Sequence, residues 1–123
     1  MRFASAQIIA YVEDGLWLRL ASQANAAAER IGARIRPLAG ISLAAPVEAN
    51  EVFVVAEPEV LTAVADAGIL FYRRGPKLGR FVCRWDTSDT EIDTLVAAIA
   101  SGVAPHLKAR RTSDQTFLRT PPR

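Results

Sequence analysis

The chain has 123 residues, half of them hydrophobic, which is room for one domain with one modest core and too little for a complete two-domain cofactor enzyme. A single cysteine, Cys83, excludes an internal disulfide, and with a single histidine, His106, no metal-ligand cluster can be built from these two residue types. The formal net charge is +2, and the longest apolar run near the start, Ile8–Val12, ends at Glu13 and Asp14, far short of the ~20 residues of a membrane span, so a reducing cytoplasm is the expected compartment.

From Ala4 to Ile35 alanine and long straight side chains dominate, which predicts helix throughout. The expected break is Asp14-Gly15. Before it, Phe3, Ile8, Ile9, Tyr11 and Val12 spread around more than one face, the pattern of a helix covered on two sides. It does not read as a cleavable signal peptide. After the break, Leu16, Leu20, Ala24, Ala27 and Ile31 recur at spacings of three and four, so this second helix packs one stripe on something apolar.

Beyond Gly32 the residues Pro37, Gly40, Pro46 and Asn50 interrupt any helix and favour short strands. Ile41–Ala44 is one candidate, and Glu51–Val55 a stronger one because β-branched and aromatic residues fill it. A helix then opens at Pro58, turns Val60, Leu61 and Val64 to one face, and stops at Gly68. Ile69–Tyr72 reads as a strand, Arg74–Gly79 as a turn, and Arg80–Trp85 as the returning strand of a hairpin. Ser88 and Glu91 have the spacing of a capping box, so a helix starts near Asp89, buries Ile92, Leu95, Val96 and Ile99, and ends at Gly102.

After Ser101 comes the basic part of the chain. Residues 1–101 hold ten Lys+Arg against twelve Asp+Glu, whereas Lys108, Arg110, Arg111, Arg119 and Arg123 are balanced by Asp114 alone. Such a tail is either an electrostatic arm for nucleic acid or acidic lipid or an unstructured terminus. No aromatics are interleaved to stack bases, so the second is expected, with neither nucleic acid nor membrane as a partner. The elements add up to an α+β fold: a small, mostly antiparallel sheet with helices packed on one face, preceded by long N-terminal helices. Residues 1–101 form the domain and 102–123 a basic, disordered tail.

Five fragments, in this order, carry a family resemblance. They are the opening Met1–Tyr11, Asp14–Arg19, Ala24-Asn25, Pro46–Phe53 and Arg80–Thr87. Together they resemble the C-terminal part of low-specificity threonine aldolases, and the match runs to about residue 101. That family has the aspartate-aminotransferase-like fold of pyridoxal-phosphate enzymes (fold type I), in which a large domain binds the cofactor and a small C-terminal domain closes over it. The activity implied is retro-aldol cleavage of a β-hydroxy-α-amino acid to glycine and an aldehyde. The cofactor supplies the electron sink, and a guanidinium on the substrate carboxylate fixes the torsion of the breaking bond.

On this resemblance Arg80 matches the position of a carboxylate-binding arginine, and Arg2 a position close to the cofactor phosphate in the assembled dimer. From the residues alone, an ordinary arginine on a strand edge is the better reading of Arg80, and the resemblance reverses that preference. Alternation puts Arg80, Val82 and Arg84 on one face and Phe81, Cys83 and Trp85 on the other, with Arg84 expected to be solvated or paired. Cys83 reads as a small core residue, since no histidine lies near it in sequence. Asp86 and Thr87 are expected to shape the turn into the last helix.

The family also needs a lysine that bonds the cofactor covalently, and here neither Lys77, in a Gly-Pro turn, nor Lys108, in the tail, has that context. The chain alone is therefore expected to bind no pyridoxal phosphate and to be inactive. Its partner would be a lysine-bearing large domain or a full-length homologous subunit. Two other readings stand beside this one: a stand-alone amino-acid-binding module, and an inactive truncated remnant. Helix 1–14 is expected to pack on the missing large domain. Exposing several side chains each worth roughly 1.5–3 kcal/mol on burial implies self-association of the isolated chain.

Overall fold

A computed structural model describes residues 2–117, with side chains to residue 105. Helix α1 (Arg2–Val12) leads through a 3-10 turn at Glu13–Gly15 into α2 (Leu16–Ile35). Asp14 and Gly15 both adopt left-handed backbone, with φ of 55° and 65°, which ends one helix and starts the next at the predicted break. Arg19 Nη1 donates to the Asp14 carbonyl at 2.5 Å, closing the corner.

Four strands follow, interrupted by one helix: β1 (Ser42–Leu43), β2 (Glu51–Val55), α3 (Pro58–Asp66), β3 (Tyr72–Arg73) and β4 (Leu78–Val82), before α4 (Asp89–Phe117). All pairings are antiparallel and the order is β1-β2-β4-β3. β4 thus lies inside the sheet, with Phe53 opposite Arg80 on one side and Tyr72 opposite Arg80 on the other. Period-two alternation buries Val52, Val54, Phe81 and Cys83 on one face. Against them pack Ala27, Ala28, Ile31 and Ile35 of α2, Val60, Leu61 and Val64 of α3, and Ile92, Leu95, Ile99 and Val103 of α4. The fold is α+β with its helices on one face of a small antiparallel sheet, as the sequence implies.

Besides β1, which is Ser42–Leu43 within the expected Ile41–Ala44, three boundaries differ from expectation. The strand expected over Ile69–Tyr72 is only Tyr72–Arg73, because Ile69 and Phe71 are spent plugging the core edge from a loop while Leu70 points outward. Its partner runs Leu78–Val82 instead of Arg80–Trp85: two bonds with Asn50 close the ladder at Cys83, and the Thr87 hydroxyl accepts from the Arg84 N–H at 2.8 Å to turn the chain. Trp85, leaving the strand, is exposed.

Third, Gly102 does not stop the last helix. It is buried within α4, where a Cβ would lie 2.8 Å from Val60 Cα and 3.1 Å from Ala63 Cβ, so this glycine permits close packing on α3. The helix continues past Pro105 to Phe117. The side chains of His106 and Lys108 and the whole of 118–123 lie outside the described residues, so the tail's charges have no structural account. No helix among the described residues is long and apolar enough to cross a membrane.

α1 is the other departure. Every residue in it is exposed, with Phe3, Ile8, Ile9, Tyr11 and Val12 facing water and Trp17 and Leu18 continuing the surface into α2. The two-sided cover its pattern calls for is not supplied by these residues.

Candidate carboxylate-binding site

Arg80 projects from the middle of β4 onto the sheet face that the helices leave open, because its neighbours Gly79 and Phe81 take the inward positions. Register places Phe53 and Tyr72 beside it on the flanking strands and Glu51 one diagonal step away, since Glu51 is opposite Val82. Arg80 Nη2 donates to Glu51 Oε1 in a short charge-assisted bond. The Arg80 guanidinium carbon lies 5.4 Å from the centre of the Tyr72 ring, within cation–π range. Arg80 Nε is buried and has no hydrogen-bond partner among the described residues.

Electrostatics follow this geometry. The hydrogen bond from Arg80 holds the Glu51 carboxyl below the ordinary carboxylate range, against a smaller opposing effect of burial, and the charge of Arg74 acts in the same direction as Arg80. The same bond pushes the Arg80 ionisation further up. Asn50 anchors the arrangement, its Nδ2 donating to the Cys83 carbonyl at 2.9 Å and its own carbonyl accepting from the Cys83 N–H at 2.8 Å.

Arg2 is on α1, whose main packing is against the 3-10 turn and α2. The two arginines singled out by resemblance are thus not brought together here. Arg84 is paired, donating to Asp86 at 2.8 Å and Glu91 at 3.1 Å. Cys83 is buried, and desolvation pushes its thiol up, which suits a core residue and not a nucleophile. Lys77 donates to Glu57 at 2.9 Å on the exposed hairpin turn. Lys77 is more than half exposed there, without the enclosed surroundings that a covalently held pyridoxal phosphate calls for.

A cavity of about 900 Å³ opens next to this site, between the β3–β4 edge and the start of α4, lined by Phe71, Tyr72, Phe81, Arg84, Glu91 and Leu95 among others. It does not include Arg80. Sequence reasoning missed Glu51 and Tyr72 as neighbours of Arg80. For Tyr72 the expected hairpin carried the signal and only its register was needed, whereas Glu51 lies on β2, which pairs with a strand that is not next in sequence, and no local pattern announces that.

No protein-family model matches the chain. The low specificity L-threonine aldolase of Pseudomonas sp. (strain NCIMB 10558) is 39% identical over 100 residues, covering 80% of this chain and 29% of that protein. The low specificity L-threonine aldolase of Pseudomonas aeruginosa is 35% identical over 100 residues, with the same coverage. The chain therefore spans less than a third of the length of these curated relatives. Across four-fifths of its residues it is similar to low specificity L-threonine aldolase, and through that similarity it is related to the threonine-aldolase lyases, whose C-terminal part it resembles.

Proposed function

We propose that this chain supplies the substrate-carboxylate clamp of a pyridoxal-phosphate-dependent lyase of the threonine aldolase type. Arg80 grips the carboxylate of a β-hydroxy-α-amino acid, and Arg2 lends charge toward the cofactor phosphate. The cofactor and its lysine are held by a large domain outside this sequence. One observation supports the reading: the Arg80 guanidinium already holds a carboxylate, that of Glu51, on the sheet face that no helix among the described residues covers. A planar fork in that position suits a second carboxylate of the same chemistry.

The test combines the purified chain with a lysine-bearing large domain, pyridoxal phosphate and threonine, and assays aldehyde. Arg80→Ala is expected to lower kcat/KM by about 10²-fold or more, the usual scale for removing one partner of a desolvated charge pair, and Arg80→Lys by less. Undiminished activity of Arg80→Ala refutes the clamp, and turnover by the chain alone refutes the division of labour. The bare surface of α1 favours a second reading, an inactive truncated remnant. Failure to co-purify with any lysine-bearing large domain is its expected result.

A further inference from the structure

Arg80 is the one arginine in the described sheet with an orphaned, buried Nε, and this limits how it can meet a ligand. With the Nε–H closed off from solvent, the donors left for an incoming carboxylate are on Nη1 and Nη2. Glu51 holds Nη2. A two-pronged grip on a ligand therefore draws on the nitrogen that Glu51 occupies, and a ligand that merely shared the guanidinium would bring two carboxylates into contact. Tyr72 stays under the guanidinium whichever carboxylate is bound, because their strands are paired at those residues.

Glu51 has reason to be there. The Asn50 bonds to Cys83 fix the rung next to it, so its carboxylate reaches Arg80 from a rigid strand. No ligand is needed to keep the guanidinium aimed across the sheet. From this geometry we infer that Glu51 is a built-in stand-in for the ligand carboxylate: it holds Arg80 in the gripping pose and leaves Nη2 when an amino acid's carboxylate arrives. Glu51 is thus a positioning residue that weakens carboxylate affinity while keeping the clamp aligned, and it sets the site against weakly bound monocarboxylates. The inference rests on the proposed role of Arg80.

Two measurements on the full chain separate the two ideas. In the unmutated protein, NMR signals of the Arg80 guanidinium and of a 13C-labelled Glu51 carboxylate are followed during titration with threonine, glycine and acetate. Both are expected to move with one midpoint. If Arg80 responds and Glu51 does not, the stand-in is overturned while the clamp survives. If Arg80 responds to none of the three, clamp and stand-in fall together. In the second measurement, Glu51→Gln keeps the shape and removes the charge, and acetate is expected to bind about fivefold tighter, the factor that losing a competing ion pair at the upper end of the usual worth of such pairs corresponds to. Glu48→Gln, which removes a charge of the same sign before β2 without touching the pair, is expected to change affinity by less than twofold. Equal effects of the two substitutions, or weaker binding by Glu51→Gln, overturn the proposal.

Discussion

Ser88 and Glu91 satisfy each other's backbone donors at the start of α4: the Glu91 N–H donates to Ser88 Oγ at 3.2 Å and the Ser88 N–H donates to Glu91 Oε2 at 2.7 Å. Ser88→Ala is expected to cost ~1 kcal/mol in urea unfolding, the usual value of an N-cap. That Ser88 N–H, ahead of the Ser88 hydroxyl and the charge of Arg84, holds the Glu91 carboxyl below its ordinary range. A carboxylate depressed in the folded state stabilises the fold above its unfolded pKa and loses that contribution as pH falls through the folded value. Glu51 and Asp86 are lowered in the same sense by Arg80 and Arg84. Stability is therefore expected to decline on acidification below about pH 4, and Glu91→Gln to make the decline shallower. A pH slope identical in the variant would contradict the cap's electrostatic role.

At the scale of elements, α3 and α4 approach closely at Gly102. Alanine normally gains ~1 kcal/mol over glycine inside a helix. Here a Cβ would meet the Val60 backbone at 2.8 Å, and backbone cannot step aside as a flexible side chain can. Gly102→Ala is expected to reverse the usual sign and destabilise by ~1–3 kcal/mol, as overpacking does; a stabilised variant in thermal or urea melts would show that α3 and α4 can separate without penalty. By contrast, Arg30–Asp89 at 3.3 Å and Arg34–Asp93 at 2.5 Å link α2 to α4 through exposed groups. Each contributes little, since water and salt screen such pairs.

For the whole molecule the dominant feature is apolar surface left open on α1 and the start of α2, with Phe3 88% exposed. Several large side chains at roughly 1.5–3 kcal/mol each amount to a sizeable share of the ~5–15 kcal/mol that holds a domain together. Self-association is the expected response, through whichever surface covers α1 first. Replacing Ile8, Ile9 and Val12 together by Gln is expected to shift the chain toward monomer in sedimentation velocity and to lower binding of a hydrophobic dye, with the α2–α4 core intact. A wild-type chain that melts sharply as a monomer would refute this.

Local chemistry alone determined much of this protein. Asp14-Gly15 marked the corner between two helices, Pro58 and Gly68 bounded α3, Glu51–Val55 was a strand from its β-branched content, and Ser88 with Glu91 started α4, because each signal acts within four residues of where it is read. Arg80 was a candidate only through the family resemblance carried by Arg80–Thr87, and its own strand read alone makes it an ordinary arginine. Its surroundings were not legible. Glu51 and Phe53 reach it by a pairing between strands far apart in sequence, Tyr72 by a hairpin register that no single residue sets, and Gly102 read as a helix stop until α3 was packed on it. The extent of β4 was likewise set by the Asn50 bonds and not by the strand-forming run through Trp85. Helix and turn signals are local free energies, whereas sheet order, close helix approach and the company of a charged group depend on which distant surfaces win burial, and only the folded molecule decides that.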